Sequence, residues 1–334
     1  MTKRSPATLS QVAERAGVSL TTASKAINGK NRVSEETRAR VMAAARDLAF
    51  TPNLVARGLI TGRTSTVGFV IADSMTHRFA APVMLGAEGA LGAIDLSMIT
   101  CDARGDQERS RELALMLAAR KVDGVLVVGD NNGVTASVSP LLDIPVVYVY
   151  GVSDDPGDVV HMPDDEKGMA LAVDHLVVGG RRRIAHVTGP RTATAVVERV
   201  KGMRGRLRQD RLKLVAPVAY GQWSQRWARL ATTDLLAEHP DVDAVICGSD
   251  QLASGVLVAL KEAGRRVPDD VAVTGYDNWG VFALETEPRL TTVDMNLEAL
   301  GAAAAQELFS IIDGGPRHGG IRRHECALIV RGST

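Results

Sequence analysis

Thr8-Leu9-Ser10-Gln11-Val12-Ala13-Glu14-Arg15-Ala16-Gly17-Val18-Ser19-Leu20-Thr21-Thr22-Ala23-Ser24-Lys25-Ala26-Ile27-Asn28-Gly29 is the stretch on which the reading of this chain turns. Thr8, followed three residues later by Gln11, has the form of a capping box, and Leu9, Val12, Ala13 and Ala16 recur behind it at helical spacing. This predicts a first helix to about Ala16. Gly17 then supplies a turn, Val18 an apolar plug, and Ser19 a cap for a second helix running to about Asn28. Ser34 before Glu35 and Glu36 opens a third helix with acids at its positive end. Val41, Ala44, Ala45 and Leu48 give it an apolar stripe, and Pro52 ends it. Two short helices joined by a glycine turn, with a third across them, describe a helix-turn-helix unit.

In such a unit the second helix enters the major groove of DNA. Its periodicity assigns Ala23, Ala26 and Ile27 to the core and leaves Leu20, Thr21, Thr22, Ser24 and Lys25 facing outward. Lys25 can reach a guanine edge or a phosphate, the threonines can bond either, and Leu20 can meet a thymine methyl. An ordinary three-helix protein-interaction head would carry the same core, its cations then forming a solvated face. Charge favours nucleic acid. Residues 1–63 hold eleven Lys/Arg against four Asp/Glu, a net of +7, and the rest of the electrically balanced chain carries −7. A basic head suits polyphosphate, whereas an acidic body is repelled by it.

Residues 51–62 have room for about two helical turns, and Gly58 weakens them by roughly 1 kcal/mol relative to alanine. The segment reads either as a linker or as a helix that forms only when a partner supplies contacts. Its apolar Leu54, Val55, Leu59 and Ile60 favour the second, since such side chains act as wedges in the minor groove.

The chain's 334 residues suffice for two or three domains, and 45% hydrophobic with 23% charged residues is the balance of folded domains. No apolar run approaches the roughly 18–20 residues of a membrane span, and the basic N-terminus leads into no apolar signal core, so a cytoplasmic location is expected. Cys101, Cys247 and Cys326 are scattered without zinc or redox spacing and read as reduced thiols.

The segments 8–19, 22–29, 33–38 and 52–59 together closely resemble the head of LacI/GalR-type bacterial transcriptional repressors. The resemblance implies a homodimer on a near-palindromic operator, with Leu59 as the lever at a central base step. Thr8, Ser19, Leu20, Thr21, Thr22, Ser24, Lys25, Asn28, Asn53, Ala56 and Arg57 are then the other positions facing DNA. Two residues depart from the pattern: Lys25 stands where arginine is frequent, and Gly58 sits beside the lever.

Beyond the head, strands and helices alternate. Strand patterns at 66–72, 96–100, 122–128 and 145–150 enclose helices at 83–93 and 107–119. The alternation restarts after Pro163, with strands at 184–187, 244–247 and 271–276 among helices at 167–178, 194–208, 224–239 and 251–263. Two successive βα series predict two doubly wound parallel-sheet lobes, with ligand in the cleft at the carboxyl ends of the strands. The expected organisation is a helix-turn-helix domain at 1–51, a hinge at 52–63 and an effector and dimerisation body at 64–334. Within the body, the N-lobe takes about 64–163 and 294–320, and the C-lobe about 164–293 and 321–334.

The body offers no enzyme signature. Gly86, Gly89 and Gly92 lack dinucleotide-binding spacing and fall inside an expected helix; no phosphate-binding loop, zinc-protease helix or nucleophile elbow occurs. His161, His175, His186 and His239 are dispersed. No catalytic residue, cofactor or metal is therefore assigned. Polar chemistry does gather at strand ends: Gly248-Ser249-Asp250-Gln251, Gly275-Tyr276-Asp277-Asn278-Trp279, and Gly189-Pro190 leading toward Arg199. Planar Asp, Asn and Arg groups bond paired hydroxyls, and an aromatic face covers the apolar side of a sugar ring. Asp250 reads equally as a helix cap, and Trp223 equally as core.

Here the resemblance extends along the body and implies a periplasmic-binding-protein-like fold. Arg199-Val200-Lys201-Gly202, Trp223-Ser224 and the two strand-end segments around Asp250 and Asp277 are similar to the family's effector elements. They imply Arg199 and Asp277 as principal contacts, Asp250 in support, and Trp223 stacking. Phe79 resembles an N-lobe cleft aromatic whose neighbour in the family is also aromatic, here read as Ala80. Arg331-Gly332-Ser333-Thr334 resembles the family's ending, with no tetramerising tail expected. The implied protein is a repressor of carbohydrate-utilisation genes answering to a mono- or oligosaccharide. A solute-binding protein conflicts with the basic head and missing export signal, and a sugar-acting α/β enzyme with the missing catalytic set.

Overall fold

A computed structural model describes residues 7–27, 33–50, 62–73 and 78–334. The chain divides into two compact units, residues 1–65 and 66–334.

In the first unit, α1 (Leu9–Ala16) starts at the capping box: Thr8 accepts from the Gln11 amide while the Gln11 side chain accepts from the Thr8 amide. Gly17 ends it at φ 64°, a left-handed conformation that costs glycine nothing. Ser19 caps α2 (Leu20–Ile27) by accepting from the Thr22 amide, and Ser34 caps α3 (Glu35–Asp47) through Thr37. The core is built of small side chains, Val12, Ala13, Ala16, Ala23, Ala26, Val41, Ala44 and Ala45, so the three helices approach closely.

The second unit opens with β1 (Thr66–Ile71), α4 (Ala80–Gly92), β2 (Ser97–Asp102), α5 (Gln107–Ala119) and β3 (Gly124–Val128). A short parallel pair, β4 (Val134–Thr135) with β6 (Val152–Ser153), flanks β5 (Val146–Val149), and β7 (Val159–Pro163) follows. Next come α6 (Asp165–Val178), β8 (Ile184–Thr188), α7 (Thr194–Gln209), β9 (Ala219–Tyr220), α8 (Gln225–Glu238), β10 (Ala244–Cys247) and α9 (Asp250–Glu262). The chain closes with β11 (Ala272–Tyr276), α10 (Gly280–Ala283), β12 (Thr291–Asp294), α11 (Leu297–Ile312), β13 (Gly320–His324) and β14 (Ala327–Ile329). The first sheet runs β13-β7-β5-β3-β1-β2, entirely parallel; the second runs β14-β12-β11-β10-β8-β9, with only β14 antiparallel. Central strands such as β3 and β5 are buried along their whole length because helices cover both faces, which is why they read as continuous apolar runs.

The chain passes between lobes three times, after β7, after β12 and after β13. The last passage corrects the expected boundary at residue 320: β13 pairs in parallel with β7 and belongs to the N-lobe. Its sequence Gly-Ile-Arg-Arg-His is polar because it is an edge strand, and that hid it from a search for apolar runs. Strand β7 was hidden for a different reason. It is fully buried, but His161 interrupts its apolar sequence.

Glycines set the helix packing in both lobes. A Cβ on Gly86 of α4 would lie 1.8 Å from the Glu298 carbonyl oxygen of α11, and one on Gly301 of α11 would lie 2.1 Å from that of Val83. In the C-lobe, a Cβ on Gly202 of α7 would stand 1.9 Å from the Glu166 carbonyl of α6. Gly89 and Gly92 face open space.

Candidate functional site

On α2, Ala23 and Ala26 are buried and Ile27 packs beside them, which leaves Leu20, 53% exposed, and Thr21 outermost. Thr22, Ser24 and Lys25 are half-buried on the same helix. Thr8 is exposed at the start of α1, its hydroxyl engaged with Gln11, and Ser19 is exposed with its oxygen 2.8 Å from the Thr22 hydroxyl. Asn28, Asn53, Ala56, Arg57 and Leu59 lie outside the described residues.

In the body, strand ends meet at a cavity of about 270 Å³ lined by both lobes. Arg199 of α7 is 2% exposed. Its Nε donates to Asp165 Oδ1 at 2.8 Å, its Nη1 donates to the Gly248 carbonyl at 2.7 Å, and the guanidinium lies 3.7 Å from the Tyr276 ring centre. Burial alone would lower its pKa, but Asp165, Tyr276 and Asp277 act the other way and the net shift is upward, so the charge is locked in. Asp277 follows β11 with φ 107°, and Asn278 after it has φ 49°. Two consecutive left-handed non-glycine residues cost on the order of 1–3 kcal/mol each and aim the Asp277 carboxylate into the cavity. Burial raises the Asp277 pKa, and the neighbouring Arg78 and Arg199 oppose that rise.

Asp250 departs from expectation. It lies at the start of α9, but Ser249 caps that helix, and the fully buried Asp250 carboxylate does not line the cavity. It accepts from the Trp279 amide at 2.7 Å and from the Thr292 hydroxyl at 2.5 Å, fixing the loop that carries Asp277. Burial, and then repulsion from Asp277, pushes its pKa up to about 8. The carboxylate is a buttress behind the site, since the turn after β11 closes over it.

Phe79 and Trp223 do line the cavity. Trp223 rests where Gly189 leaves room, a Cβ there falling 2.3 Å from the indole, and its Nε1 donates to Asn132 Oδ1 at 3.3 Å. The residue beside Phe79 in the cleft is Arg78; Ala80 is buried at the start of α4, because the helix turns it toward the core. Sequence reasoning passed over Arg78, Tyr150, Asp130 and Asn132, and singled out Trp279 only as part of a strand-end segment. Tyr150, Asp130 and Asn132 sit just past β5 and β3, so the strand-end rule applied to the N-lobe would have found them. Arg78 carried no such signal. Tyr150 packs 5.1 Å from the Phe79 ring.

Among the described residues, no histidine lines this cavity. Burial lowers both His161 and His186 to about 4; His161 bonds Glu307 and His324, and His186 bonds the Ile246 carbonyl. Among the described residues, no group of three or more His, Cys, Asp or Glu is placed to hold a metal, and no helix is long and apolar enough to cross a membrane.

Comparison with known proteins bears on both units. Residues 8–53 match the family described as bacterial regulatory proteins, lacI family, and residues 173–334 match a periplasmic binding protein-like domain. The HTH-type transcriptional regulator CelR of Thermobifida fusca is 36% identical over 325 residues, 94% of each chain. The chain belongs to the LacI family of bacterial transcriptional regulators. The HTH-type transcriptional repressor PurR of Vibrio campbellii is 31% identical over 98% of each chain. Among solved structures, a CelR–cellobiose complex is 32% identical, covering 98% of this chain and 100% of that one, with a TM-score of 0.68. A lac repressor dimer bound to operator and the anti-inducer ONPF is 26% identical over 98% and 99% of the two chains, with a TM-score of 0.76. This LacI-family chain is a DNA-binding transcriptional regulator, and the family's members are not enzymes.

Proposed function

We propose that this LacI-family regulator is a cytoplasmic homodimeric repressor of carbohydrate-utilisation genes, and that a neutral mono- or oligosaccharide in the body's cleft changes its affinity for a near-palindromic operator. The observation that carries the sugar reading is the wall chemistry of the cavity. Phe79, Tyr150, Trp223 and Trp279 present aromatic surface, and Asp277, Arg199, Asp130 and Asn132 present planar polar groups beside it. A pyranose offers the matching pair of features, an apolar ring face and adjacent hydroxyls. The resemblance to a CelR–cellobiose complex supports the same ligand class. In the head, Leu20, Thr21, Thr22, Ser24 and Lys25 face the major groove, Thr8, Ser19 and Asn28 face the DNA beside them, and of the hinge residues Asn53, Ala56, Arg57 and Leu59 the last is the minor-groove lever and Arg57 a phosphate contact.

Gel retardation with genomic fragments, repeated with cellobiose and with common monosaccharides, tests the whole reading. The expected result is a retarded fragment whose affinity changes in either direction with one sugar, and falls steeply with salt as the basic head releases counterions. A fragment insensitive to every neutral sugar would overturn the effector, and a flat salt response would overturn groove binding.

A further inference from the structure

Arg78 of the N-lobe reaches across the cleft. Its Nη2 forms an ion pair with Oδ2 of Asp277 in the C-lobe, a bridge between residues separated by 199 positions. The same guanidinium carbon lies 4.2 Å from the Phe79 ring centre and 4.3 Å from that of Trp279, one ring from each lobe. The Arg78 side chain keeps 23% of its surface exposed, against 2% for Asp277. Two buried polar atoms remain without hydrogen bonds: Arg78 Nε and Asp277 Oδ1, the latter 3.7 Å from Arg199 Nη1.

This geometry has the form of an occupied binding site. A flat group rests against aromatic faces while its donors meet a strained, buttressed carboxylate, which are the contacts a pyranose would make there. The guanidinium shares with a sugar ring a broad, weakly hydrated face that stacks on aromatics and hydrogen-bond donors on its rim. Its bond to Asp277 is nevertheless incomplete, since Oδ1 still lacks a donor. A ligand with two adjacent hydroxyls supplies donors to both carboxylate oxygens and satisfies the one that Arg78 leaves bare.

We infer that Arg78 is a tethered stand-in for the effector: it occupies the ring-stacking position, ties the lobes together through Asp277, and must be displaced before the effector can bind. Three consequences follow from the tether. With the Arg78–Asp277 bridge in place the lobes are already joined, so the effector exchanges for a side chain instead of closing an open jaw. Apparent affinity is lowered by the fraction of molecules in which Arg78 holds the site. The residue also acts as a specificity filter, because a ligand that stacks on the rings but fails to engage Asp277 does not dislodge a charged competitor held at high effective concentration.

The inference rests on the proposed sugar reading only in its second arm, so the two fail separately. The first arm needs no ligand. Hydrogen exchange of the full-length, ligand-free protein is compared between wild type, Arg78→Ala and Arg78→Lys. Arg78→Ala should speed exchange at least tenfold in the segments around 79–83 and 277–284, which face one another across the cleft, while β3 and β10 stay protected as evidence of intact folding. Arg78→Lys, which keeps the charge but loses the flat fork, should fall between. Unchanged exchange in Arg78→Ala overturns the tie between lobes.

The second arm is calorimetry with cellobiose as the probe. Arg78→Ala should bind at least tenfold more tightly than wild type, because the competitor is gone. Equal or weaker binding overturns the competition and makes Arg78 an ordinary contact. Cellobiose failing to bind either protein, with a panel of neutral sugars also failing, counts against the sugar reading alone, and the exchange arm still decides the tie.

Discussion

The two lobes share one architecture and divide the chemistry of the cleft unequally. Each is a parallel sheet covered by helices, and each brings a helix pair together through glycine. At the cavity, however, the C-lobe presents charge that is buried and wired in place, with Arg199 held by Asp165 and Gly248, and Asp277 held by the loop that Asp250 fixes. The N-lobe presents Phe79, Tyr150 and the partly exposed Arg78. The C-lobe polar groups are thus preorganised as part of folding, whereas on the N-lobe side Phe79 and Arg78, both partly exposed, can change with little loss of core. Substitutions in the two walls should therefore fail in different ways.

The largest effect is expected at Arg199. Arg199→Ala leaves the Asp165 carboxylate buried without its charged partner, with only the neutral Asn131 amide and Tyr276 hydroxyl beside it, and breaking one partner of a buried pair typically costs about 3–5 kcal/mol. Urea unfolding should show that loss in the body, together with loss of the effector response. A variant as stable as wild type would show that Arg199 serves the ligand alone and would remove the contrast between the walls.

Next come the glycine crossings, where each lobe packs helix against helix and a similar loss is expected on either side, although Gly202 stands one turn from Arg199 on α7. Gly202→Ala in the C-lobe and Gly301→Ala in the N-lobe each drive a methyl into a facing backbone carbonyl. Overpacking of this kind costs about 1–3 kcal/mol, more where only backbone can yield. Gly89→Ala, facing open space, should be neutral or slightly stabilising. Thermal melts of the three variants test this; equal behaviour at Gly89 and Gly301 would contradict the close approach of α4 and α11.

These glycines mark how far the sequence could be read. Spacing and helix periodicity placed Gly86 inside a helix and argued against a dinucleotide-binding turn, but the reason for that glycine depends on which helix crosses it, a long-range fact. Caps were legible because Thr8, Ser19 and Ser34 act within three residues of themselves. Central strands were legible because burial on both faces makes them uniformly apolar; β7 and β13 were not, one interrupted by a buried histidine and the other polar at an edge. At the site, Arg199, Asp277, Phe79 and Trp223 line one cavity. Asp250 misled because a carboxylate at a helix start looks the same whether it faces ligand or the underside of a neighbouring loop. Arg78 was invisible because its partner lies 199 positions away.

A smaller effect should separate binding from stability on the N-lobe side. Phe79→Ala removes a ring that is only partly buried beside the core, so the affinity for an effector sugar should drop by roughly tenfold, about 1.4 kcal/mol. The melting temperature should move by no more than a few degrees. A stability loss as large as that of Arg199→Ala would show the N-lobe wall to be as deeply structural as its counterpart.

A pH-dependent effect concerns the buttress. Asp250 has its pKa raised from the usual carboxylate value of 3.8 to about 8, first by burial and then by the Asp277 charge. A folded-state pKa above the unfolded one means that the native protein binds a proton that the unfolded chain has already released. The associated stability is full below about pH 4 and declines as the pH rises toward about 8. Stability measured by urea unfolding should therefore fall between pH 5 and 8, a downward slope opposite in sign to that from paired surface carboxylates such as Asp270, which Arg266 holds at about 2. Asp250→Asn keeps the shape and an acceptor for the Trp279 amide without the ionisation, so it should flatten the slope and gain most relative to wild type near pH 8. Phe79→Ala, on the opposite wall, should leave the slope untouched. If Asp250→Asn preserved the slope, the proton would belong to another group, and the C-lobe wall would owe its rigidity to hydrogen bonds alone.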